Sequence, residues 1–284
     1  MKGRCVLNLL LALGLLALPN PLKSADQVER ILKRQYEGQE VVLRHFNSGS
    51  RLEVASNGEL LAWGPVGSWT LYSHVYIEKV KVMGSDVVLD GRRQFLVYDD
   101  SRKTFEVGEK NRKKQERVVI VLRGVLPGGE AMIRDRLAQI FLKPNEHLYE
   151  LVPVFWRRFL CEDVNARASA EQKRECPVDA DFREAPKEGT QKYLIPPKAV
   201  HTPDPEYTNP GRGAKLQGRL EIWMLVDREG KPAATRIAKP LGMGLDESAF
   251  EAVNQWRFQP ARNKDTGEPA PYIVKVEVSF RLWD

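Results

Sequence analysis

From Gly218 to Val226 apolar and polar positions alternate, with Leu220, Ile222, Met224 and Val226 facing one way and Arg219, Glu221, Trp223 and Leu225 the other. A period of two is that of a half-buried strand, so the segment must lie in a sheet with one face covered. Asp227-Arg228-Glu229-Gly230 supplies a four-residue turn whose glycine tolerates positive φ, and a second strand follows through Ala233, Thr235 and Ile237. Gly242 and Gly244 then break the chain. Asp246 is placed to cap a helix by accepting orphan backbone N–H groups, with Glu247 favourable near the positive helix end. Leu245, Ala249, Val253 and Trp256 form one apolar stripe, and Pro260 ends the helical run. A last strand, 272–282, sets Val274, Val276, Val278, Phe280 and Leu282 on one face and Lys275, Glu277, Ser279 and Arg281 on the other. The predicted unit is β-β-α-β, one helix laid on the apolar face of a three-stranded antiparallel sheet.

Several short motifs punctuate this unit. Gly218 precedes the first strand, Val226-Asp227-x-x-Gly230 forms the hairpin, and Leu245-Asp246-x-x-Ala249 opens the helix. Ala252-Val253-Asn254-Gln255-Trp256-Arg257-Phe258-Gln259-Pro260-Ala261 follows, and Pro269-Ala270-Pro271 leads into the last strand. In these residues the stretch from about 198 to 284 resembles the TonB C-terminal domain family. The resemblance implies a partner-binding module and not an enzyme: a sheet edge offered to an extended segment of an outer-membrane receptor. Strand addition suits such a task, because backbone hydrogen bonds give affinity and alternate side chains tune specificity. The edge it implies is Tyr272, Val274, Lys275, Val276, Glu277, Val278, Ser279 and Phe280, although Lys275, Glu277 and Arg281 also fit as charges that keep an edge soluble.

Pro205 and Tyr207 would lead into the domain, where the family's Tyr-Pro is Tyr207-Thr208 in this chain. Trp256, Arg257, Phe258 and Pro260 have a structural reading. The two aromatic rings lock the helix end onto the sheet, and Arg257 holds a nearby carbonyl or carboxylate.

The opposite end of the chain is a leader. Lys2 and Arg4 precede an apolar run, Val6–Leu18, that Asn8 alone interrupts, and Pro19-Asn20-Pro21 closes it. About 13 apolar residues make a helix of roughly 20 Å, short of a hydrocarbon core of ~30 Å. The pattern is that of a signal peptide over residues 1–25, cut after Ser24 or Ala25. It predicts a periplasmic or secreted protein with no stable membrane span after cleavage, anchored in the inner membrane if the leader is retained. The family's transducers keep an anchor with a Ser and a His that contact the motor; Leu9–Leu18 has neither.

Setting aside the three cations of the first 25 residues lowers the net charge from +6 to +3, too balanced for a nucleic-acid partner. Two cysteines then remain, Cys161 and Cys176. An even count in an oxidising compartment predicts a disulfide. No histidine or third cysteine lies at ligand spacing, so a metal pair is disfavoured.

Residues 26–160 are predicted to form an antiparallel β domain with packed helices. A short amphipathic helix over Asp26–Tyr36 comes first. Strands follow at Val41–Phe46, Arg51–Ala55, Ser68–Val82, Val87–Tyr98 and Arg117–Arg123, with a hairpin across Met83–Asp86. A helix at Gly129–Leu142 and a second apolar segment at Leu148–Leu160 close the domain. Ser68-Trp69-Thr70 and Trp156 are assigned to core or rim packing, the alternative being the lining of a ligand groove. The proline- and charge-rich stretch 161–197 is a linker candidate. The fold class is α+β.

His45, His74, His147 and His201 are scattered without ligand spacing, and no Gly-x-Ser-x-Gly elbow or dinucleotide fingerprint is present. No catalytic, cofactor-binding or metal residue is predicted. Two functions remain: an adaptor binding an outer-membrane or other periplasmic protein, or a soluble binding or scaffold protein that uses the same domain for another contact, homodimerisation included.

Overall fold

The structure, a computed structural model, describes residues 24–169, 173, 175, 176, 182, 185, 186 and 190–282. The predicted leader lies outside the described residues except for Ser24 and Ala25. Among the described residues no helix is long and apolar enough to cross a membrane. The chain divides into two units, Met1–Leu148 and Tyr149–Asp284.

The first unit opens with α1 (Ala25–Tyr36), capped by Ser24, whose side chain accepts the Gln27 N–H at 3.3 Å. Its strands are β1 (Glu40–Val42), β2 (Arg51–Val54), β3 (Leu60–Ala62), β4 (His74–Met83), β5 (Asp86–Arg93), β6 (Leu96–Asp99), β7 (Thr104–Val107) and β8 (Arg117–Leu122). A short helix α2 (Trp69–Tyr72) precedes β4, and α3 (Gly129–Ile140) follows β8. Six strands form one sheet in the order β1-β4-β5-β8-β2-β3, while β6 and β7 form a separate hairpin. The alternation of β5 drives its two faces apart. Val87 and Leu89 point into a core with Val75, Ile77 and Ile120, joined by Val28 and Leu32 of α1 and Ile133 and Leu137 of α3. The intervening positions carry ion pairs: Asp90 with Arg117, Glu78 with Arg92, and Asp86 with Arg123.

The predicted hairpin is present, with Val82 opposite Val87 and Met83 opposite Asp86, and Gly84 at φ 63° makes the turn. Two expectations are corrected. The domain is not wholly antiparallel, because β2 and β8 pair in parallel. Alternation fixes which face a strand buries but not the direction of a neighbour so distant in sequence. Nor is 68–82 one strand: the Ser68 hydroxyl accepts the Thr70 N–H at 3.2 Å and starts a helical turn, so β4 begins only at His74. Trp69 is buried, as a packing role requires.

In the second unit α4 (Leu148–Leu151) and α5 (Val154–Arg167) come first, then β9 (Leu194–Ile195), β10 (Lys198–His201) and α6 (Asn209–Gly213). The remainder is β11 (Gly218–Val226), β12 (Pro232–Lys239), α7 (Leu245–Val253), β13 (Arg257–Gln259), β14 (Ala261–Asn263), β15 (Pro269–Ala270) and β16 (Tyr272–Phe280). The main sheet has the order β12-β11-β16, antiparallel throughout. Two smaller pairings accompany it, β10 with β13 and β15-β14-β9.

The predicted domain boundary at residue 160 moves to 148. Residues 149–160 belong with the second unit because α5 packs there on β12 and α7: the Phe155 ring stacks on Phe250 at 3.9 Å, and fully buried Trp156 donates its indole N–H to Glu247 at 2.9 Å. The predicted linker, 161–197, is correspondingly shorter. The charged run after Cys161 continues α5 to Arg167, and Leu194–Ile195 pairs with β14. A disulfide joins Cys161 and Cys176, whose Cα atoms are 5.6 Å apart.

Closing a 15-residue separation removes loop entropy worth about 3 kcal/mol from the unfolded chain. The double variant Cys161→Ser/Cys176→Ser is therefore expected to lose about 3 kcal/mol in urea titration of the second unit's transition. An unchanged midpoint contradicts the structural role.

Candidate partner-binding edge

β11 is the central strand of the second sheet, and its even-numbered residues fix the register. Leu220 lies opposite Val278, Ile222 opposite Val276 and Met224 opposite Val274, and on the other side Ile222 meets Ile237. Leu220, Ile222 and Met224 are fully buried, as are Leu245, Ala249 and Val253 of α7. The opposite face is polar: Arg219 bonds Glu277 at 3.1 Å, Lys275 bonds Glu221 at 2.8 Å, and the Lys275 ammonium sits 5.8 Å from the Trp223 ring. These exposed cross-strand pairs keep that face solvated and contribute little stability.

The hairpin between β11 and β12 is tied to the chain beyond α7. The Asp227 carboxylate accepts the N–H groups of Glu229 and Lys231 at 2.9 and 2.8 Å. Gly230 follows at φ 79°, and its carbonyl accepts the Phe258 N–H at 2.8 Å. A Cβ on Gly230 would stand 1.9 Å from the Phe258 carbonyl oxygen. The glycine thus serves both the left-handed turn and a backbone approach that no side chain permits. It links the two motifs that the sequence displays 28 residues apart.

Here two more expectations are corrected. The helix ends at Val253 and does not reach Trp256; Arg257–Gln259 is a short strand pairing with β10, so Ala199 lies opposite Phe258. Arg257 and Gln259 are exposed while Phe258 is buried, an alternation that the Trp-Arg-Phe-Gln order already carried. Asp246 does not cap the helix. Gly244, at φ 73°, precedes the first turn, and the fully buried Asp246 carboxylate reaches back to the N–H groups of Leu241 and Gly242 at 2.7 and 2.6 Å. Burial first, and then the neighbouring Glu247, push its carboxyl up to about 7, against the pull of these donors.

Trp256 donates its indole N–H to the Pro203 carbonyl at 3.1 Å, and its ring lies 6.3 Å from that of Phe258. Arg257 donates to the carbonyls of Trp256 and Asn254 at 2.6 and 3.3 Å. The segment leading into the domain is docked on the same side. The Tyr207 hydroxyl donates to the Leu216 carbonyl at 2.5 Å, and the Tyr207 ring packs edge-on against Phe280 at 5.2 Å. Thr208, standing where the family has proline, donates to the Met243 carbonyl at 2.7 Å and accepts the Gly211 N–H at 3.1 Å, capping α6.

The two outer strands of the sheet differ. β12 packs against α5, whereas among the described residues β16 pairs only with β11. In an antiparallel strand, successive residues aim their backbone groups to alternate sides. The Ile273 N–H points away from β11, because it donates to the Gln191 side chain at 2.7 Å. Lys275, Glu277 and Ser279 share that direction, and among the described residues no hydrogen bond engages their backbone N–H groups. Tyr207, Trp256 and Phe258 thus brace the chain around the sheet and Pro205 lines a cleft beside Tyr207, while among the described residues the outward N–H groups from Lys275 to Ser279 are unengaged. The segment 190–193 that supplies Gln191 gave no signal in the sequence. Among the described residues no three His, Cys, Asp or Glu side chains are gathered to hold a metal ion.

Residues 203–282 match the family model for the C-terminal region of the Gram-negative bacterial TonB protein. The protein tonB2 of Pseudomonas aeruginosa is 32% identical over 84 residues, 29% of this chain and 30% of that protein, so the match spans less than a third of either. Among solved structures, the solution NMR structure of the Pseudomonas aeruginosa TonB C-terminal domain is similar over 35% of this chain and 94% of its own, at 14% identity and a TM-score of 0.26.

Gly230→Ala is expected to cost about 2 kcal/mol or more, from strained φ and the clash with Phe258. Gly267→Ala, at φ 73° with open space around its Cα, should cost about 1 kcal/mol. Equal losses in urea titration contradict the Gly230–Phe258 lock. Asp246→Ala orphans two buried N–H groups and should cost about 2–5 kcal/mol. A loss below 1 kcal/mol rules out that role.

Proposed function

With residues 203–282 forming a TonB C-terminal domain, we propose that this chain is a transport-linked adaptor of the cell envelope. It takes an extended segment of an outer-membrane or other periplasmic protein onto the rim of β16. The observation that carries this reading is the row of N–H groups at Lys275, Glu277 and Ser279 that no hydrogen bond engages among the described residues. Each backbone hydrogen bond contributes about 0.5–1.5 kcal/mol net, so a segment bonding this short row is held reversibly. Side chains of the incoming strand alternate over the two faces of the sheet and supply what selectivity there is.

A second reading is homodimerisation through the same rim. In one antiparallel register Lys275 of each copy faces Glu277 of the other, and both residues aim their backbone groups outward, as exchange of hydrogen bonds requires. Opposite charges facing each other favour that register.

Proline at 277 tests both. Its lost N–H points away from β11, so the sheet keeps its ladder, which is where edge strands tolerate proline. Glu277→Pro should retain the thermal midpoint within a few degrees and abolish capture of an outer-membrane protein by a photo-crosslinker at Lys275. Capture surviving the proline contradicts strand addition, and a crosslinked adduct of two copies in place of a second protein supports the dimer.

A further inference from the structure

The rim of β16 runs into a cleft of about 480 Å³ lined by Pro205, Glu206, Tyr207, Arg212, Arg281 and Leu282. Resting on the strand-addition reading, we infer that this cleft holds a carboxylate of the incoming segment, one residue beyond its paired stretch or a few. The position follows from chain order. β16 ends at Phe280, so Arg281 stands immediately past the last edge residue. Unlike Arg219 and Lys275, which bond Glu277 and Glu221, Arg281 and Arg212 have no ion pair among the described residues. Two guanidinium groups against the one carboxylate of Glu206 leave the cleft cationic.

The cleft is also fixed in place. The Arg212 guanidinium lies 5.4 Å from the centre of the Tyr207 ring. That ring is held at both ends, by the hydroxyl bond to Leu216 and the edge-on contact with Phe280. That contact sets the exposed Arg212 beside the end of the strand. Planar guanidinium groups suit a carboxylate because they donate two parallel hydrogen bonds.

The opposite end of the rim is closed differently. Gln191 already accepts the Ile273 N–H, so it occupies the place that a carbonyl of an added strand would take. The added strand accordingly pairs from Lys275 to Ser279 and leaves the rim over the arginines. At about 3.3 Å per residue, a carboxylate two residues past Ser279's partner lies about 7 Å farther on, above Arg281. The ligand class is an extended peptide with an acidic residue at that end.

The test titrates the full chain with two capped heptapeptide probes, Thr-Val-Thr-Val-Thr-Val-Asp and the same peptide ending in Asn, and repeats the pair with the acid moved to the first position. Binding is followed through backbone amide shifts of β16. The probe whose acid reaches the cleft should bind about fivefold more tightly than its Asn counterpart. Which of the two acid placements shows this preference reports the direction of the added strand. In Arg212→Gln/Arg281→Gln the preference should vanish while the Asn probe binds as in the wild type.

Three results overturn the carboxylate site while leaving the edge intact: no acid preference in the wild type for either placement, a preference that survives the double variant, or equal weakening of both probes by it. If no probe binds, or all bind Glu277→Pro as well as the wild type, the edge reading falls and this inference with it.

Discussion

A buried or half-buried strand must find partners for its backbone groups, and a three-stranded sheet leaves two strands each with one side unpaired. The second unit treats these two rims unequally. β12 lies against α5, whose Phe155 and Trp156 grip α7 through Phe250 and Glu247. β16 has β11 on one side and, among the described residues, the Gln191 side chain is what bonds its other side, at Ile273. Everything proposed for this protein follows from that asymmetry. The charges on β16 are consistent with it, since Lys275 and Glu277 are paired back across the sheet face and leave the hydrogen-bonding direction clear.

The rest of the unit keeps that rim straight and in register. The Phe258 N–H donates to the Gly230 carbonyl across a close backbone approach, which fastens the β11–β12 turn to the chain beyond α7. Asp246 ties the loop before α7 to the helix itself through two buried N–H groups. The incoming segment is anchored twice: its Pro203 carbonyl accepts the Trp256 indole N–H, and its Tyr207 hydroxyl donates to the Leu216 carbonyl ahead of β11. The motifs that make the domain recognisable are thus mostly backbone-holding devices, and none of their side chains lies on the rim itself.

How much of this the sequence carried depends on the kind of information needed. Strict alternation made most of β11 and β16 legible, although β16 ends at Phe280 where the alternation runs on to Leu282, and Leu225, on the otherwise polar face, is buried. The stripe of Leu245, Ala249 and Val253 did the same for α7. The end of that helix was misplaced because Trp256 fits a helical stripe and a strand alternation equally well, and only pairing with Lys198–His201 decides between them. Asp246 stands where a cap would stand, but its role is set by a loop that folds back in space. The boundary at 148 was hidden for a similar reason: Phe155 and Trp156 announce burial without saying in which core. Gln191 had no signal at all, since a polar side chain in a proline-rich stretch gains meaning only when the Ile273 amide comes within reach.

The central claim is that the outer side of β16 is open in the protein by itself, and amide hydrogen exchange of the full chain, resolved by residue, tests it most directly. The account predicts a strict alternation, with Val274, Val276 and Val278 protected by β11 and Lys275, Glu277 and Ser279 exchanging near the rate of unstructured chain. Protection of Lys275, Glu277 and Ser279 to the level of their neighbours would mean that some other backbone already lies along that side, and would contradict it.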